Sequence, residues 1–219
     1  MRVQPGAPKI KHCGITNADD AAAAVEFDAW ALGMILWPGS PRACEPAAAA
    51  EIAAEFRRRV EIVGVFVNPS LDEVTQAADA IGLTILQLHG DEGPVFCAEA
   101  SRRTGCKVIK AARVRGRSDI QATMPFHTDF HLLDSHVPGR PGGTGTTFEW
   151  ELIRHHHGPV PVILSGGLTA ENVAEAIAVA QPYAVDVASG TEFEPGQKDG
   201  FKLEAFARAV ASTAREAVS

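Results

Sequence analysis

The sequence has no long hydrophobic run and no cluster of basic residues that could form a binding face. No stretch approaches the ~18 consecutive apolar residues of a membrane-spanning helix, and the N-terminal segment MRVQPGAP lacks the apolar core of a secretory signal. The 20 basic residues are scattered among 27 acidic ones, and the run Arg57–Arg59 is expected to be a solvated helix end. We therefore expect neither a membrane partner nor a nucleic-acid partner.

Cysteines are also few, and their spacing does not indicate a disulfide framework. The four residues Cys13, Cys44, Cys97 and Cys106 form no CxxC pair and no small-domain disulfide pattern. A reduced, cytoplasmic setting is the simplest interpretation.

What the sequence does contain is a regular alternation of short β-rich runs with alanine-rich amphipathic stretches. The β-rich runs are Ile10–Cys13, Leu32–Leu36, Glu61–Val67, Thr84–His89, Lys107–Ala111, Phe130–Asp134, Val160–Leu164 and Tyr183–Val187. The helical stretches are Ala18–Phe27, Pro46–Arg59, Leu71–Ile81, Pro94–Thr104, Phe148–His156, Ala170–Ala180 and Leu203–Ala217, with a weaker one near Ser118–Thr123.

This alternation predicts βαβ units and a parallel sheet. Eight strand candidates favour an α/β fold of one domain over residues 1–219, a closed (β/α)8 TIM barrel. An open doubly wound sheet would also alternate. It usually has fewer units, however, and no GxGxxG motif follows the first strand.

Reactive side chains are concentrated at the carboxyl ends of the predicted strands, where barrel enzymes have their active sites. Because side chains alternate along a strand, Lys11 and Cys13 should share the face towards the barrel interior, with His12 facing the helices. A neighbouring ammonium favours the thiolate, which makes Cys13 a candidate base or nucleophile. Asp134 ends the sixth strand, and a carboxyl group there can act as a general acid.

Two turns of small residues follow the last two strands. Gly166 and Gly167 follow the seventh strand, and Ser189 and Gly190 follow the eighth. Barrels frequently hold a phosphate between these loops through backbone N–H groups. The two turns together predict a phosphate site.

Three further features have both a structural and a functional interpretation. Arg42 follows the second strand, and its guanidinium suits a planar carboxylate, although it could equally be a surface arginine. His89 ends the fourth strand and could be a satisfied structural histidine. The consecutive residues His155–His157 point in different directions at a helix end, so we expect no metal site.

Nine short motifs follow one another along the chain, and their order is more specific than any one of them. They are Lys11-His12-Cys13-Gly14-Ile15-Thr16, Ser40-Pro41-Arg42, Gly64-Val65-Phe66-Val67, Gln87-Leu88-His89-Gly90, Leu132-Leu133-Asp134, Gly142-Gly143-Thr144-Gly145, Ser165-Gly166-Gly167-Leu168, Val185-Asp186-Val187-Ala188-Ser189-Gly190-Thr191-Glu192 and Pro195-Gly196-Gln197-Lys198-Asp199. In this order the chain resembles the phosphoribosylanthranilate isomerases of tryptophan biosynthesis over nearly its whole length.

The resemblance implies a cofactor-independent (β/α)8 barrel that acts on a small phosphosugar. The reaction would be the Amadori rearrangement of N-(5-phosphoribosyl)anthranilate to 1-(2-carboxyphenylamino)-1-deoxyribulose 5-phosphate. Cys13 matches the family's general base, Asp134 its general acid and Arg42 the residue that meets the anthranilate carboxylate. The positions expected to bind the rest of the substrate are Lys11, His89 and Asp186, with Gly166, Gly167, Ser189 and Gly190 around the phosphate.

Two positions depart from the family pattern: His12, where an aliphatic residue is usual, and Ala188, where serine is common. Another phosphosugar enzyme on the same barrel, such as a ribulose-phosphate epimerase, would share the phosphate turns. It would leave the Cys13 and Asp134 pair unexplained. A binding barrel without activity would predict damage to the acid or the base, and both are present. The sequence leaves the choice between monomer and homodimer open.

Overall fold

Eight parallel strands close into a barrel in the computed structural model, which describes residues 6–134 and 147–214. The strands are β1 (Lys9–Cys13), β2 (Ala29–Ile35), β3 (Glu61–Phe66), β4 (Ile85–Leu88), β5 (Lys107–Arg113), β6 (Phe130–Asp134), β7 (Val162–Ser165) and β8 (Ala184–Val187). Each pairs with its neighbour, and β1 closes the barrel by pairing with β8 in the register Lys11 to Asp186. The predicted fold class is therefore confirmed.

Helices connect the strands and cover the outside of the barrel. They are α1 (Ala18–Glu26), α2 (Pro46–Phe56), α3 (Leu71–Ile81), α4 (Pro94–Thr104), α5 (Arg117–Gln121), α6 (Thr147–Ile153), α7 (Val173–Ala180) and α8 (Gly200–Ser212). After β8 the chain forms a short 3-10 turn, Ser189–Thr191, and an antiparallel hairpin of β9 (Glu192–Glu194) and β10 (Gln197–Lys198). Within the described residues, no helix is long and apolar enough to cross a membrane.

Local sequence signals fix several helix ends. Ser70 and Glu73 form a capping box at the start of α3, and Gly82 ends that helix in the left-handed conformation with φ of +79°. Pro94 begins α4 and Gly105 ends it with φ of +70°. These signals explain why the predicted bounds of α3 and α4 agree with the structure.

Other predicted bounds were displaced for equally local reasons. The helix predicted to reach Arg59 ends at Phe56, which leaves Arg57–Arg59 exposed. The strand predicted from Val160 begins only after Pro161, and the last helix begins at Gly200 because Asp199 caps it. The end predicted for that helix, Ala217, lies outside the described residues. The β9–β10 hairpin was not predicted.

Side chains divide between the barrel interior and the layer beneath the helices, as strand alternation requires. The interior cluster includes Ala31, Val63, Val65, Ile85, Ile109, Ala111, Leu132, Ile163 and Ala184, with Cys13 at its upper end. His12 points the other way, as predicted, and its ring meets Phe206 of α8 at a centroid distance of 6.3 Å. At the carboxyl ends of the strands, polar groups such as Cys13 and Asp134 follow the apolar layers of the interior.

Candidate active site

Lys11 and Cys13 lie one above the other on the inner face of β1. The Lys11 side chain is fully buried, and its Nζ donates to Asp186 Oδ1 at 2.6 Å; Ser165 Oγ donates to the other carboxylate oxygen at 3.1 Å. Gly33 of β2 makes room for both, because a Cβ there would lie 3.0 Å from both Cys13 Sγ and Lys11 Nζ. The Lys11 ammonium therefore lies below the Cys13 thiol, as predicted, and it is paired with the Asp186 carboxylate.

Burial and charge act on the Cys13 thiol in opposite directions. Burial raises the pKa of Cys13, and the adjacent Lys11 ammonium opposes that rise without cancelling it. Burial alone would lower the pKa of Lys11, but the charges of Asp186 and Cys13 raise it, so the ammonium form is favoured. Lys11 acts to lower the pKa of Cys13, in the direction that the sequence predicted. The sequence did not predict the desolvation of the thiol, which raises that pKa.

Asp134 lies across the barrel mouth at the end of β6, close to His89 from the end of β4. Asp134 Oδ2 is 4.0 Å from His89 Nε2, and the other ring nitrogen, Nδ1, is 3.5 Å from the Gln87 amide nitrogen. Burial lowers the pKa of His89, although the charge of Asp134 works against that shift. At neutral pH His89 is therefore a neutral hydrogen-bonding group beside the carboxyl.

Arg42 is held by a residue to which the sequence assigned no role. Its Nε lies 2.9 Å from both carboxylate oxygens of Glu192, and its Nη2 lies 2.8 Å from Oε2. The hydrogen bonds from Arg42 to Glu192 raise the pKa of Arg42. The guanidinium side chain is 24% exposed, so its remaining N–H groups can meet a planar anion at the mouth.

The two turns expected to hold phosphate lie side by side. Gly166 and Gly167 have φ of +104° and +61°, conformations that favour glycine, and Asn172 fixes the loop by donating to the Gly167 carbonyl at 3.0 Å. No acceptor among the described residues takes the N–H of Gly167 or Gly190. Gly190 itself packs against the Leu168 carbonyl, so any Cβ at that position would collide with it. Gly190 therefore allows the two turns to pack closely together. The sequence had predicted only that glycine lets the backbone come close to the anion.

The residues that sequence reasoning missed are Gly33, Asn172, Glu192 and Lys198. Glu192 and Lys198 stand inside two of the quoted motifs, which was the available signal, but charge alone did not reveal their partners. The motif Gly142-Gly143-Thr144-Gly145 lies outside the described residues.

The histidine run was expected to bind no metal. In the structure a 2.8 Å hydrogen bond joins Nε2 of His156 to Nδ1 of His131. Over residues 6–134 and 147–214, no group of three or more His, Cys, Asp and Glu side chains is arranged to hold a metal ion.

Fold and site together define a class: a (β/α)8 barrel with titratable side chains and a pair of small-residue turns at the carboxyl ends of its strands. Comparison with known proteins identifies the family. The sequence model of N-(5'-phosphoribosyl)anthranilate (PRA) isomerase matches residues 10–209. The chain belongs to this family, whose members are isomerases of tryptophan biosynthesis.

Individual relatives agree over nearly the full length. The N-(5'-phosphoribosyl)anthranilate isomerase of Pelobacter propionicus is 44% identical over 208 residues, covering 95% of this chain and 98% of the relative. That of Pseudomonas putida is 46% identical over 204 residues, covering 92% and 97%. Both alignments cover more than nine tenths of this chain, so the family assignment does not rest on isolated motifs.

Solved structures give the same result. The crystal structure of phosphoribosyl anthranilate isomerase from Thermotoga maritima superposes with a TM-score of 0.85 at 37% identity, covering 94% of this chain and 99% of that one. A phosphoribosyl anthranilate isomerase in complex with reduced 1-(o-carboxyphenylamino)-1-deoxyribulose 5-phosphate has a TM-score of 0.82 at 34% identity, with the same coverage.

Proposed function

We propose that this chain isomerises N-(5-phosphoribosyl)anthranilate with Cys13 as general base and Asp134 as general acid. The observation that carries the proposal is that both side chains project from inner strand positions at the carboxyl end of one barrel, on different sides of its mouth. One acid and one base suffice for a reaction in which one proton is added and another is removed.

The first step opens the ribose ring. Asp134 enters this step protonated and gives its proton to the ring oxygen while the C1–O bond breaks, which leaves a carboxylate, and the anthranilate nitrogen supplies the electron pair that forms the iminium. His89, 4.0 Å from the carboxylate and neutral at working pH, is placed to orient Asp134 or a neighbouring substrate hydroxyl. The iminium nitrogen then serves as the electron sink for the next step.

The second step removes the proton from C2. The Cys13 thiolate takes it, the electrons move into the C1–C2 bond, and the resulting enolamine tautomerises to the ketone. Because burial raises the pKa of Cys13, the thiolate depends on the cations around it, of which Lys11 is the nearest on the same strand face. Lys11, in turn, is kept charged by Asp186.

Binding energy comes from groups at the two ends of the substrate. Arg42 would meet the anthranilate carboxylate through N–H groups that Glu192 does not use. The N–H groups of Gly167 and Gly190 would hold the phosphate. Lys11, His89 and Asp186, expected as substrate-binding residues, would form the floor and one wall; Gly166 and Ser189 would shape the turns.

Turnover of freshly made phosphoribosylanthranilate by the purified protein tests the function. Fluorescence of the substrate should decay faster than in a matched sample without enzyme, and in proportion to enzyme concentration. A parallel assay with ribulose 5-phosphate tests the epimerase alternative. Epimerisation of that sugar together with unchanged decay of phosphoribosylanthranilate would overturn the proposal.

We further propose that residues 1–219 form one domain that works in a reducing cytoplasm as a monomer or homodimer. The four cysteines are free and buried, which suits a compartment that keeps thiols reduced. Size-exclusion chromatography with light scattering would decide the oligomeric state.

A further inference from the structure

The β9–β10 hairpin is fastened across the end of β1. Thr16 Oγ1, in the loop after β1, donates to the Gly196 carbonyl at 2.6 Å. The Lys198 N–H donates to Asp20 Oδ2 at 2.8 Å. Hydrogen bonds therefore tie the hairpin to the β1–α1 loop and to the first turn of α1.

Lys198 points from this hairpin into the barrel top, where its side chain is 0% exposed. Its Nζ donates to the Cys13 carbonyl at 2.7 Å and to the Ala188 carbonyl at 3.1 Å, and it lies 3.4 Å from Glu192 Oε1. One ammonium thus joins the end of the strand that carries the thiol to the start of the turn after β8.

Glu192 extends the same chain of charges to Arg42. Its side chain is 3% exposed and receives Arg42 Nε and Nη2 at 2.8–2.9 Å. Gly14 leaves the space for this pair, because a Cβ there would lie 3.0 Å from both Arg42 Cδ and Glu192 Oε1. Burying the charges of Lys198 and Glu192 this deeply is costly unless each is paired, and here both are.

We propose that Lys198 and Glu192 are positioning residues of the isomerase, forming a Lys198–Glu192–Arg42 network that holds the base, the phosphate turn and the carboxylate-binding guanidinium in one geometry. This inference rests on the roles proposed above for Cys13 and Arg42. Glu192 occupies one edge of the guanidinium, so the free edge has a fixed direction. Lys198 fixes the backbone on both sides of the β1–β8 seam.

The network also has an electrostatic consequence for the base. Burial raises the pKa of Cys13, and the Lys198 ammonium, like that of Lys11, acts against that rise. Burial lowers the pKa of Lys198 itself, and the charge of Glu192 opposes that shift. Loss of the Lys198 charge should therefore leave less thiolate at a given pH. A network that only held the backbone in place would not change the fraction of thiolate.

The first experiment compares Lys198→Met with Lys202→Met. Lys202 is an exposed lysine nearby whose Nζ donates, within the described part of the chain, to the Glu192 backbone carbonyl alone, at 2.7 Å, which makes it a matched control. The rate of Cys13 alkylation by iodoacetamide is followed against pH by mass spectrometry of the Cys13 peptide. The pH at which alkylation reaches half its maximal rate, the midpoint pH, should rise by about half a pH unit or more in Lys198→Met. In Lys202→Met it should stay at the wild-type value. The same midpoint pH in wild type, Lys198→Met and Lys202→Met would overturn the claim that the charge of Lys198 acts on the Cys13 thiol.

The second experiment compares Glu192→Gln with Arg42→Met, with circular dichroism to verify folding. Glu192→Gln should raise the KM for phosphoribosylanthranilate about tenfold, while kcat changes much less, because a charge-assisted contact that aims Arg42 is lost. If Arg42→Met raises KM and Glu192→Gln does not, the positioning role is wrong although the proposed function stands. If Arg42→Met leaves KM unchanged, the role proposed for Arg42 fails, and the network loses its purpose there as well.

Discussion

His12 should make the folded protein unusually sensitive to mild acid. Its side chain is fully buried against Phe206, and neither ring nitrogen has a hydrogen-bond partner among the described residues. Burial, reinforced by the charges of Lys198 and Lys11, lowers the pKa of His12 from 6.5 to about 3. In the unfolded chain His12 therefore binds a proton near pH 6.5, whereas in the folded chain it binds one only near pH 3.

The sign and size of the effect follow from this difference. Between those two pKa values the unfolded state binds more protons, so the free energy of unfolding falls as the pH falls. With the two values above, His12 alone should cost about 2 kcal/mol of stability between pH 7 and pH 5. That is a sizeable part of the ~5–15 kcal/mol typical of a folded domain.

The assay is urea unfolding of wild type and His12→Leu at pH 7 and pH 5, followed by circular dichroism. Leucine fills a similar volume without needing a hydrogen bond, so it should raise the free energy of unfolding at pH 7 by about 1 kcal/mol. More decisively, it should reduce the loss between the two pH values by about 2 kcal/mol. His127→Gln, at an exposed position, is the control and should follow wild type. An equal loss in wild type and His12→Leu would refute the reasoning.

Three further predictions concern the site. Asp134→Asn should lower kcat by about 10²–10⁴-fold with little change in KM, since the amide keeps the shape but cannot give the proton; near-normal kcat in steady-state assays would remove Asp134 from the acid role. Gly167→Val should raise KM strongly although valine is neutral, because φ of +61° disfavours a β-branched residue and distorts the N–H cradle; the same loss should appear in phosphate titrations by ³¹P NMR. Because burial raises the pKa of Cys13, its rate of alkylation by iodoacetamide should still climb with pH between pH 7 and pH 9, and a rate that is flat over that range would contradict the raised pKa.

The barrel could be predicted from the sequence because its signals are local and repeated. Alternation of β-rich and helical runs does not depend on any one element, and glycines such as Gly82 and Gly105 mark helix ends by backbone conformation. Strand parity likewise placed Lys11 and Cys13 inside and His12 outside. The β9–β10 hairpin escaped because its strands have three and two residues, too few for any periodicity.

The charge network could not be predicted for a different reason. Arg42 and Glu192 are 150 positions apart, and Lys198 meets Cys13 across 185. Nothing in the composition around either partner identifies the other. Likewise, the net pKa shift of Cys13 depends on how much water the folded barrel excludes, which no motif encodes.

The most direct test of the central claim, that Cys13 is the base of this isomerase, is steady-state turnover of phosphoribosylanthranilate by Cys13→Ala beside Cys97→Ala. Cys97 is a buried cysteine on α4 with no proposed role, so its variant controls for loss of a thiol from the core. We predict that Cys13→Ala lowers kcat by about 10²–10⁴-fold with KM nearly unchanged, and that Cys97→Ala keeps wild-type turnover. A Cys13→Ala variant with more than about a tenth of wild-type kcat would contradict the account.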